Sequence, residues 1–129
     1  MIPTIKIMLV DDEPINNFIS TKIIERFNPK CEVVAFTSVK EALNHLRTGD
    51  FPDLILLDIN MPELNGWDFL NHYSKFPESD QERCPVAMLT SSVNKQDIDR
   101  SRTYRAVTNF ISKPLTVEAL EQVLCPQQN

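Results

Sequence analysis

The chain has 129 residues, 42% of them hydrophobic and 24% charged, which is the composition of one globular domain rather than of a disordered segment. Thirteen basic against eighteen acidic residues give a net charge of −5, so we expect neither a nucleic-acid binder nor a membrane-surface protein. No apolar stretch approaches the roughly 20 residues that span a bilayer, and no signal peptide is evident. The three cysteines are too far apart for a disulfide framework or a zinc site, which favours a cytoplasmic location.

The first half of the chain alternates strand-like runs with helical spacing. Residues 5–10 form an apolar run typical of a buried strand, and Pro14 suits the first turn of the helix that follows. Residues 32–36 predict a second strand, and Ser38 can cap a second helix that ends at Gly49. The first helix carries its apolar residues at helical spacing, namely Ile15, Phe18, Ile19, Ile23 and Phe27.

The second half repeats this alternation three times. Strands are predicted at residues 54–58, 86–89 and 107–111, and helices at residues 67–76, 94–105 and 116–124. The strand at 54–58 is the most apolar and suits the centre of a parallel sheet, buried on both faces. The polar, proline-containing stretch 77–85 leads into the fourth strand and is given no helix, and the helix at 94–105 has few apolar residues. Strands and helices in strict alternation, five of each, predict a parallel sheet with helices on both faces.

Polar side chains follow four of the five predicted strands directly. They are Asp11 and Asp12 after the first strand, Asp58 at the third, Thr90 at the fourth and Lys113 at the fifth. Ligands of an open parallel sheet bind outside the carboxyl ends of its strands. If the first and third strands are neighbours, three carboxylates converge there and need a cation, for which Mg²⁺ is the best match. A metal, an ammonium and a hydroxyl around one carboxylate are typical of a pocket for phosphoryl transfer.

Each of these residues could also have an ordinary structural role when it is taken alone. Asp11 and Asp12 could cap the first helix, because carboxylates favour helix N-termini. Asp58 could form an Asx-turn after its strand. Thr90 could belong to a plain loop, and Lys113 could be a surface lysine. The pocket is favoured because all of them fall at one edge of the predicted sheet.

The combination resembles the receiver domain of two-component response regulators, the CheY-like family. The motifs that carry the resemblance are Asp11-Asp12, the stretch D-I-N-M-P-E-L-N-G at 58–66, Thr90 and Lys113-Pro114. The family implies a doubly wound α/β fold of the flavodoxin-like (βα)5 type, with a five-stranded parallel sheet of strand order 2-1-3-4-5. We therefore expect a single receiver domain over residues 1–129, with its core at about 5–125.

The resemblance also implies a Mg²⁺ site. Asp12 and Asp58 would bind the metal directly, and Asp11 would help directly or through water. Asn60, two residues after Asp58, would offer its backbone carbonyl. The cofactor expected for this chain is therefore Mg²⁺ alone.

Phosphoryl chemistry and switching are implied by the same family. Asp58 would be the phospho-acceptor, and Thr90 and Lys113 would contact the phosphoryl oxygens. Phe110, three residues before the lysine, falls at the family's switch aromatic and would act together with Thr90. The chain departs from the family at Leu115, where Phe is common, and Phe110 lacks the hydroxyl of a tyrosine.

These roles predict a phospho-signalling protein of a phosphorelay rather than a turnover enzyme. It would take a phosphoryl group from a histidine kinase or a histidine phosphotransfer protein and then control a downstream protein. The expected contact face is the fourth predicted helix, the fifth strand and the fifth helix, at about 95–124. Only residues 126–129 follow the last helix, so output would occur by protein binding or onward transfer, unless the chain is cut from a longer protein.

Two other functions fit parts of the pattern. A Mg²⁺-dependent phosphohydrolase could use Asp58 as its nucleophile. Such enzymes often carry a second Asp two residues later as general acid, and Asn60 at that position cannot exchange protons in this way. A receiver-shaped scaffold without phosphorylation is disfavoured because all five pocket residues are present.

Overall fold

A central sheet positions the helices and the candidate site residues. A computed structural model describes residues 4–61, 63–91 and 94–124, so Pro62 of the 58–66 motif and the chain ends at 1–3 and 125–129 lie outside the described residues. Its centre is a five-stranded sheet of order β2-β1-β3-β4-β5 in which every neighbouring pair is parallel. The strands are β1 (Lys6–Val10), β2 (Glu32–Phe36), β3 (Leu54–Leu57), β4 (Val86–Thr90) and β5 (Val107–Ser112). The predicted strand order is confirmed.

The helices differ from the prediction in number. Within the described residues there are six: α1 (Pro14–Phe27), α2 (Val39–Arg47), α3 (Gly66–Tyr73), α4 (Glu78–Arg83), α5 (Lys95–Ser101) and α6 (Val117–Leu124). The expectation of five helices was therefore wrong, because α4 lies in the polar stretch 77–85, for which no helix was predicted. This helix has no apolar stripe. It is anchored by the buried side chain of Gln81, whose Nε2 donates to the carbonyls of Ser74 and Phe76 at 3.2 and 2.8 Å.

The predicted fourth helix corresponds to α5 and is shorter than expected. Asn94 caps it, since its side chain accepts a hydrogen bond from the Asp97 amide at 2.8 Å. The helix ends at Ser101, and residues 102–106 form turns before β5. Among its residues only Ser101 is buried, so α5 is held to the sheet by few contacts.

Two apolar layers enclose the sheet, as expected for a doubly wound fold. One layer packs α2 and α3 against the strand residues Met8, Val10, Ile55, Leu57, Val86 and Met88. The other packs Ile24 of α1 and Leu120 of α6 against the strand residues Ile7, Leu9, Leu54, Leu56, Ala87 and Leu89. All four residues of β3 are buried, which confirms its predicted central place.

Helix α1 turns an unexpected face to the sheet. Its buried residues are Asn17, Ser20 and Ile24. The apolar side chains of Ile15 and Phe18, by contrast, are 59% and 58% exposed. The predicted helix is confirmed, but the larger apolar residues near its start lie on its outer face.

Candidate functional site

The three predicted carboxylates meet at the carboxyl edge of the sheet. Asp11 and Asp12 follow β1, and Asp58 follows β3, which is the neighbour of β1 and is joined to it by the Asp58 amide donating to the Val10 carbonyl at 2.9 Å. One oxygen from each carboxylate lies within 4.8 Å of the others. Asp11 and Asp58 are only 6% and 7% exposed, and Asp12 is half-buried. Proximity of this kind among like charges is costly without a counter-charge.

The turn that holds Asp11 is built from backbone and amide hydrogen bonds. The Asp11 amide donates to the Phe36 carbonyl at 3.1 Å, and the Glu13 amide donates to Asp11 Oδ1 at 2.9 Å. Asn17 Nδ2 donates to the Asp11 carbonyl at 3.0 Å and lies 3.5 Å from the Phe36 carbonyl. Sequence reasoning missed Asn17. The available signal was an amide side chain one helical turn after the acidic pair.

Lys113 reaches the carboxylates from the far side of the sheet. Its Nζ lies 2.8 Å from Asp11 Oδ2 and 3.6 Å from Asp58 Oδ1. Burial lowers the pKa of Lys113, but the hydrogen bond to Asp11 and the charge of Asp58 outweigh burial and leave the pKa raised. Lys113 is therefore a cation at neutral pH, and it neutralises one of the carboxylates.

The site penalises the charged form of the Asp58 carboxyl. Its pKa is raised to about 6, chiefly because burial penalises the charged form, while the Lys113 charge lowers it and the Asp11 charge raises it further. A hydrogen bond from the Asn60 backbone lowers it slightly. One lysine is thus too little positive charge for the site, and a further cation would favour the ionised form of Asp58.

This pKa predicts that ionised Asp58 destabilises the protein when no metal is bound. The folded state holds the Asp58 proton up to about pH 6, whereas the unfolded chain releases it at its lower, ordinary pKa. Stability therefore falls as the pH rises through this window. We expect Asp58→Asn to raise the free energy of unfolding at pH 7.5 by on the order of 2 kcal/mol in the presence of EDTA.

The same comparison at pH 4 supplies the internal control. At pH 4 the Asp58 carboxyl is protonated in the folded wild type and partly protonated in the unfolded chain. The gain in the free energy of unfolding from Asp58→Asn should therefore shrink towards zero. Urea unfolding at the two pH values measures the difference, with Asp99→Asn on the exposed side of α5 as a second control. An equal gain at both pH values would contradict the assignment of the penalty to the Asp58 charge.

The remaining predicted residues lie around this cluster. Thr90 is fully buried at the end of β4, and its carbonyl accepts a hydrogen bond from the Lys113 amide at 2.8 Å. Asn60 is exposed in the loop after β3. Phe110 is half-buried on β5, where it lines a groove of about 310 Å³ together with Ile98 of α5. The structure thus brings Asp11, Asp12, Asp58 and Lys113 into one cluster. The other three predicted residues, Asn60, Thr90 and Phe110, lie outside this group of charged side chains.

The donor set of the cluster fits a hard divalent cation. All three side chains offer carboxylate oxygens, and the group contains neither imidazole nor thiolate. Mg²⁺ keeps several waters and uses one or two carboxylates, which suits a partly open cluster at the edge of a sheet. Softer metals favour nitrogen or sulfur ligands, so the chemistry of these residues points to Mg²⁺.

Comparison with known proteins agrees with this geometry. Residues 7–125 match the family described as the response regulator receiver domain. The chain belongs to this family. The receiver is 31% identical to the aerobic respiration control sensor protein ArcB of Escherichia coli K12 over 95% of this chain, but only 15% of that protein. It thus spans a small part of this relative's length.

Solved receiver structures are similar over most of their length. A two-component response regulator from Cytophaga hutchinsonii has a TM-score of 0.87 and 31% identity, covering 95% of this chain and 96% of that one. The phosphorylated cyanobacterial phytochrome response regulator RcpA has a TM-score of 0.77 and 29% identity, covering 95% and 89%. These matches confirm the flavodoxin-like α/β fold.

Family membership confirms a function in two-component signalling and does not favour the phosphohydrolase. Receivers of this type are generally not turnover enzymes, and their family typically uses Mg²⁺. The relatives of this receiver include a sensor protein. In the described part of the chain, no helix combines the length and the apolar character of a membrane span.

Proposed function

We propose that this receiver accepts a phosphoryl group on Asp58 from a histidine kinase or a histidine phosphotransfer protein. The observation that carries the proposal is the Asp58 carboxyl itself. It is buried at the end of β3, within 4.8 Å of two further carboxylates, with the Lys113 ammonium 3.6 Å away. Asp58 combines a raised pKa with two acidic neighbours and a nearby cation. The similarity to a phosphorylated response regulator supports the same role.

Asp12 and Asp58 would hold Mg²⁺, with Asp11 helping directly or through water and the Asn60 backbone carbonyl as a further ligand. Bound Mg²⁺ neutralises charge on the carboxylates and on the phosphoryl oxygens. The resident ammonium of Lys113 is already engaged with Asp11 at 2.8 Å. It needs only a small displacement to contact a phosphoryl oxygen, because Asp58 lies just beyond at 3.6 Å.

The transfer step is a displacement at phosphorus. An Asp58 carboxylate oxygen forms the new P–O bond while the P–N bond to the donor imidazole breaks, and the donor nitrogen leaves with the bonding electron pair. Lys113 and the Thr90 hydroxyl hold the phosphoryl oxygens during the step. Hydrolysis later returns the carboxylate, with water supplying the oxygen of the released phosphate. The receiver thus catalyses its own phosphorylation and dephosphorylation without being a turnover enzyme.

Intact mass measurement distinguishes this function from its alternatives. We expect one adduct of about 80 Da, the mass of a single phosphoryl group, after incubation with Mg²⁺ and a small phosphodonor. Multiple turnover of an aryl phosphate without a lasting adduct would instead indicate the hydrolase. Neither an adduct nor turnover would indicate a scaffold and overturn the proposal.

Output would occur through the face formed by α5, β5 and α6. Helix α5 is anchored by few buried residues, and it lies over the groove that Phe110 lines. A phosphoryl group that engages Thr90 would draw the end of β4 towards the site and leave space for Phe110 to turn inwards. Helix α5 can then shift without disturbing the core, which requires only a small bias between two existing conformations.

Amide NMR with beryllofluoride and Mg²⁺, which mimic the phosphoryl group, tests this output face. We expect chemical-shift changes to extend from the site through residues 94–105 and 108–113. The end of α2 serves as the internal reference and should change little, because His45 lies beside Asp50, which pairs with Lys6 at the amino end of β1. Changes that stop at the rim of the site, or that run along α1 instead, would show that this output face is wrong.

The exposed apolar face of α1 is proposed as the docking surface for the phosphodonor. Ile15, Phe18 and Ile19 are 59%, 58% and 45% exposed. Ile19 also lines a groove that continues to Lys113 and Pro114 at the site. A donor histidine must reach Asp58 across this edge, so its protein must cover neighbouring surface. An apolar helix face of this kind suits the amphipathic helix that carries the histidine.

Phe18→Ser tests the docking surface with an internal control. We expect phosphorylation by a histidine phosphotransfer protein to slow at least about tenfold in kcat/KM, because a central apolar anchor is lost. Phosphorylation by a small phosphodonor should keep its wild-type rate, since that reagent needs no docking surface. Equal slowing with both donors would indicate damage to the site and contradict the proposed docking role.

A further inference from the structure

Helix α5 is held to α3 by a cluster of side chains outside the site. The Arg100 guanidinium carbon lies 4.3 Å from the centroid of the Trp67 ring. The ring of Tyr104, in the turn after α5, stacks on the same indole with centroids 6.3 Å apart and planes at 24°. The Tyr104 hydroxyl donates to Asn71 Oδ1 at 2.6 Å. We call Trp67, Asn71, Arg100 and Tyr104 the aromatic latch.

The latch is important because α5 has so little other attachment. Ser101 is the only buried residue within α5. The cation–π contact of Arg100 with the largely buried indole, which is 8% exposed, therefore adds to the limited packing that Ser101 and the half-buried Ile98 provide. If one of the contacts with the Trp67 indole is lost, α5 should shift more readily than a well-buried helix would after losing a similar contact.

Trp67 follows a glycine that packs against the backbone of Asp58 and Ile59. Gly66, the residue before Trp67, donates its amide to the Ile59 carbonyl at 2.9 Å. A Cβ placed on Gly66 would lie 2.6 Å from the Asp58 carbonyl oxygen and 2.9 Å from Ile59 Cα. The start of α3 is therefore in close backbone contact with the strand end that carries Asp58, and Trp67 is the next residue along.

We propose that the aromatic latch holds α5 in its unphosphorylated position and that Trp67 couples Asp58 to α5, in addition to Thr90 and Phe110. The proposal rests on the proposed function. Lys113 Nζ lies closer to Asp11 than to the phospho-acceptor Asp58, at 2.8 against 3.6 Å, so its ammonium is turned away from the position of the phosphoryl group. The formed latch accompanies that arrangement. Movement of the β3 end or of α5 on phosphorylation changes the Arg100 and Tyr104 contacts with the indole.

Thermodynamic linkage predicts the direction in which the latch changes the affinity for a phosphoryl mimic. A contact that stabilises only the unphosphorylated conformation opposes every ligand that selects the other one. Weakening the latch should therefore increase the affinity for beryllofluoride. We expect Arg100→Ala to bind it about three- to tenfold more tightly than the wild type, which corresponds to an ordinary allosteric coupling. Arg100→Lys, which retains a cation, should lie between the two.

Trp67 is the only tryptophan, so its fluorescence reports on the latch directly. Addition of beryllofluoride and Mg²⁺ should change the emission of the wild type, and Arg100→Ala should show a smaller change. Lys95→Ala is the matched control, because this exposed cation of the same helix pairs with Asp99 and has no contact with Trp67 among those described. Tyr104→Phe keeps the ring but loses the bond to Asn71, and it should shift the affinity in the same direction as Arg100→Ala.

The outcomes separate the latch from the site. Wild-type affinity and wild-type fluorescence change in both Arg100→Ala and Tyr104→Phe would overturn the latch while leaving Asp58 as the phospho-acceptor. Weaker binding of beryllofluoride by these variants would also overturn it. A wild type that neither binds beryllofluoride nor forms the phosphoryl adduct would overturn the proposed function and the latch together.

Discussion

The Asp58→Asn variant should form no phosphoryl adduct when it is incubated with Mg²⁺ and a small phosphodonor. The amide keeps the size of the side chain but removes the anionic oxygen that must attack phosphorus. Asp11 and Asp12 cannot substitute, because Asp11 is bound to Lys113 and to the Glu13 amide and Asp12 lies nearer the rim. Intact mass should therefore show complete loss of the adduct.

Folding of the variant can be checked with the same protein preparations when EDTA replaces Mg²⁺ and the phosphodonor is left out. Since the ionised Asp58 carboxyl destabilises the metal-free protein, Asp58→Asn should melt at a higher temperature than the wild type at neutral pH. Loss of the adduct with a raised melting temperature cannot be attributed to unfolding. Asp99→Asn, an exposed carboxylate on α5, should retain the full adduct. An adduct of wild-type yield on Asp58→Asn would show that another residue is the acceptor.

The sheet and the main site could be predicted because both depend on local pattern. The apolar run of β3 is buried on both faces, and a short run of this kind is typical of a central parallel strand. The carboxylates and Lys113 are placed by the ends of the strands, so correct strands give the edge at which they meet. Parallel order then determines that Asp58 lies beside Asp11.

Other features depend on contacts between residues distant in sequence. Helix α4 carries almost no apolar residues, and its stability comes from Gln81 bonding to carbonyls at the end of α3. The stacking of Arg100 and Tyr104 on Trp67 joins residues more than thirty positions apart. The Lys113 ammonium is closer to Asp11 than to Asp58. This preference depends on side-chain conformation, which the spacing of residues in the sequence does not determine.

The orientation of α1 shows that helical spacing can predict a helix without predicting which of its faces is buried. Helical spacing identifies the apolar residues of a stripe, and such a stripe ordinarily faces the core. Here Asn17 takes an inward position because its amide is needed to hold the Asp11 and Phe36 carbonyls. Ile15 and Phe18 consequently lie outside, where they are available to a partner.

Mg²⁺ should stabilise the wild-type fold, and Asp12→Ala should remove most of this effect. The metal relieves the repulsion among the three clustered carboxylates, and a ligand that binds only the folded state raises its stability by mass action. At ten times its dissociation constant, Mg²⁺ would add about 1.4 kcal/mol, which is several degrees in melting temperature for a domain of this size.

The decisive comparison uses two neighbouring acidic residues at matched ionic strength. Glu13→Ala removes a carboxylate that is exposed and lies outside the cluster, so this variant should keep the wild-type response to Mg²⁺. Asp12→Ala removes a ligand from the cluster, and its melting temperature should barely change on addition of millimolar Mg²⁺. The wild-type response should also decline as the pH falls below about 6, because protonation of Asp58 then competes with the metal. Equal Mg²⁺ responses in the wild type and Asp12→Ala would show that the metal binds elsewhere, and phosphoryl transfer to Asp58 would then need a different source of charge neutralisation.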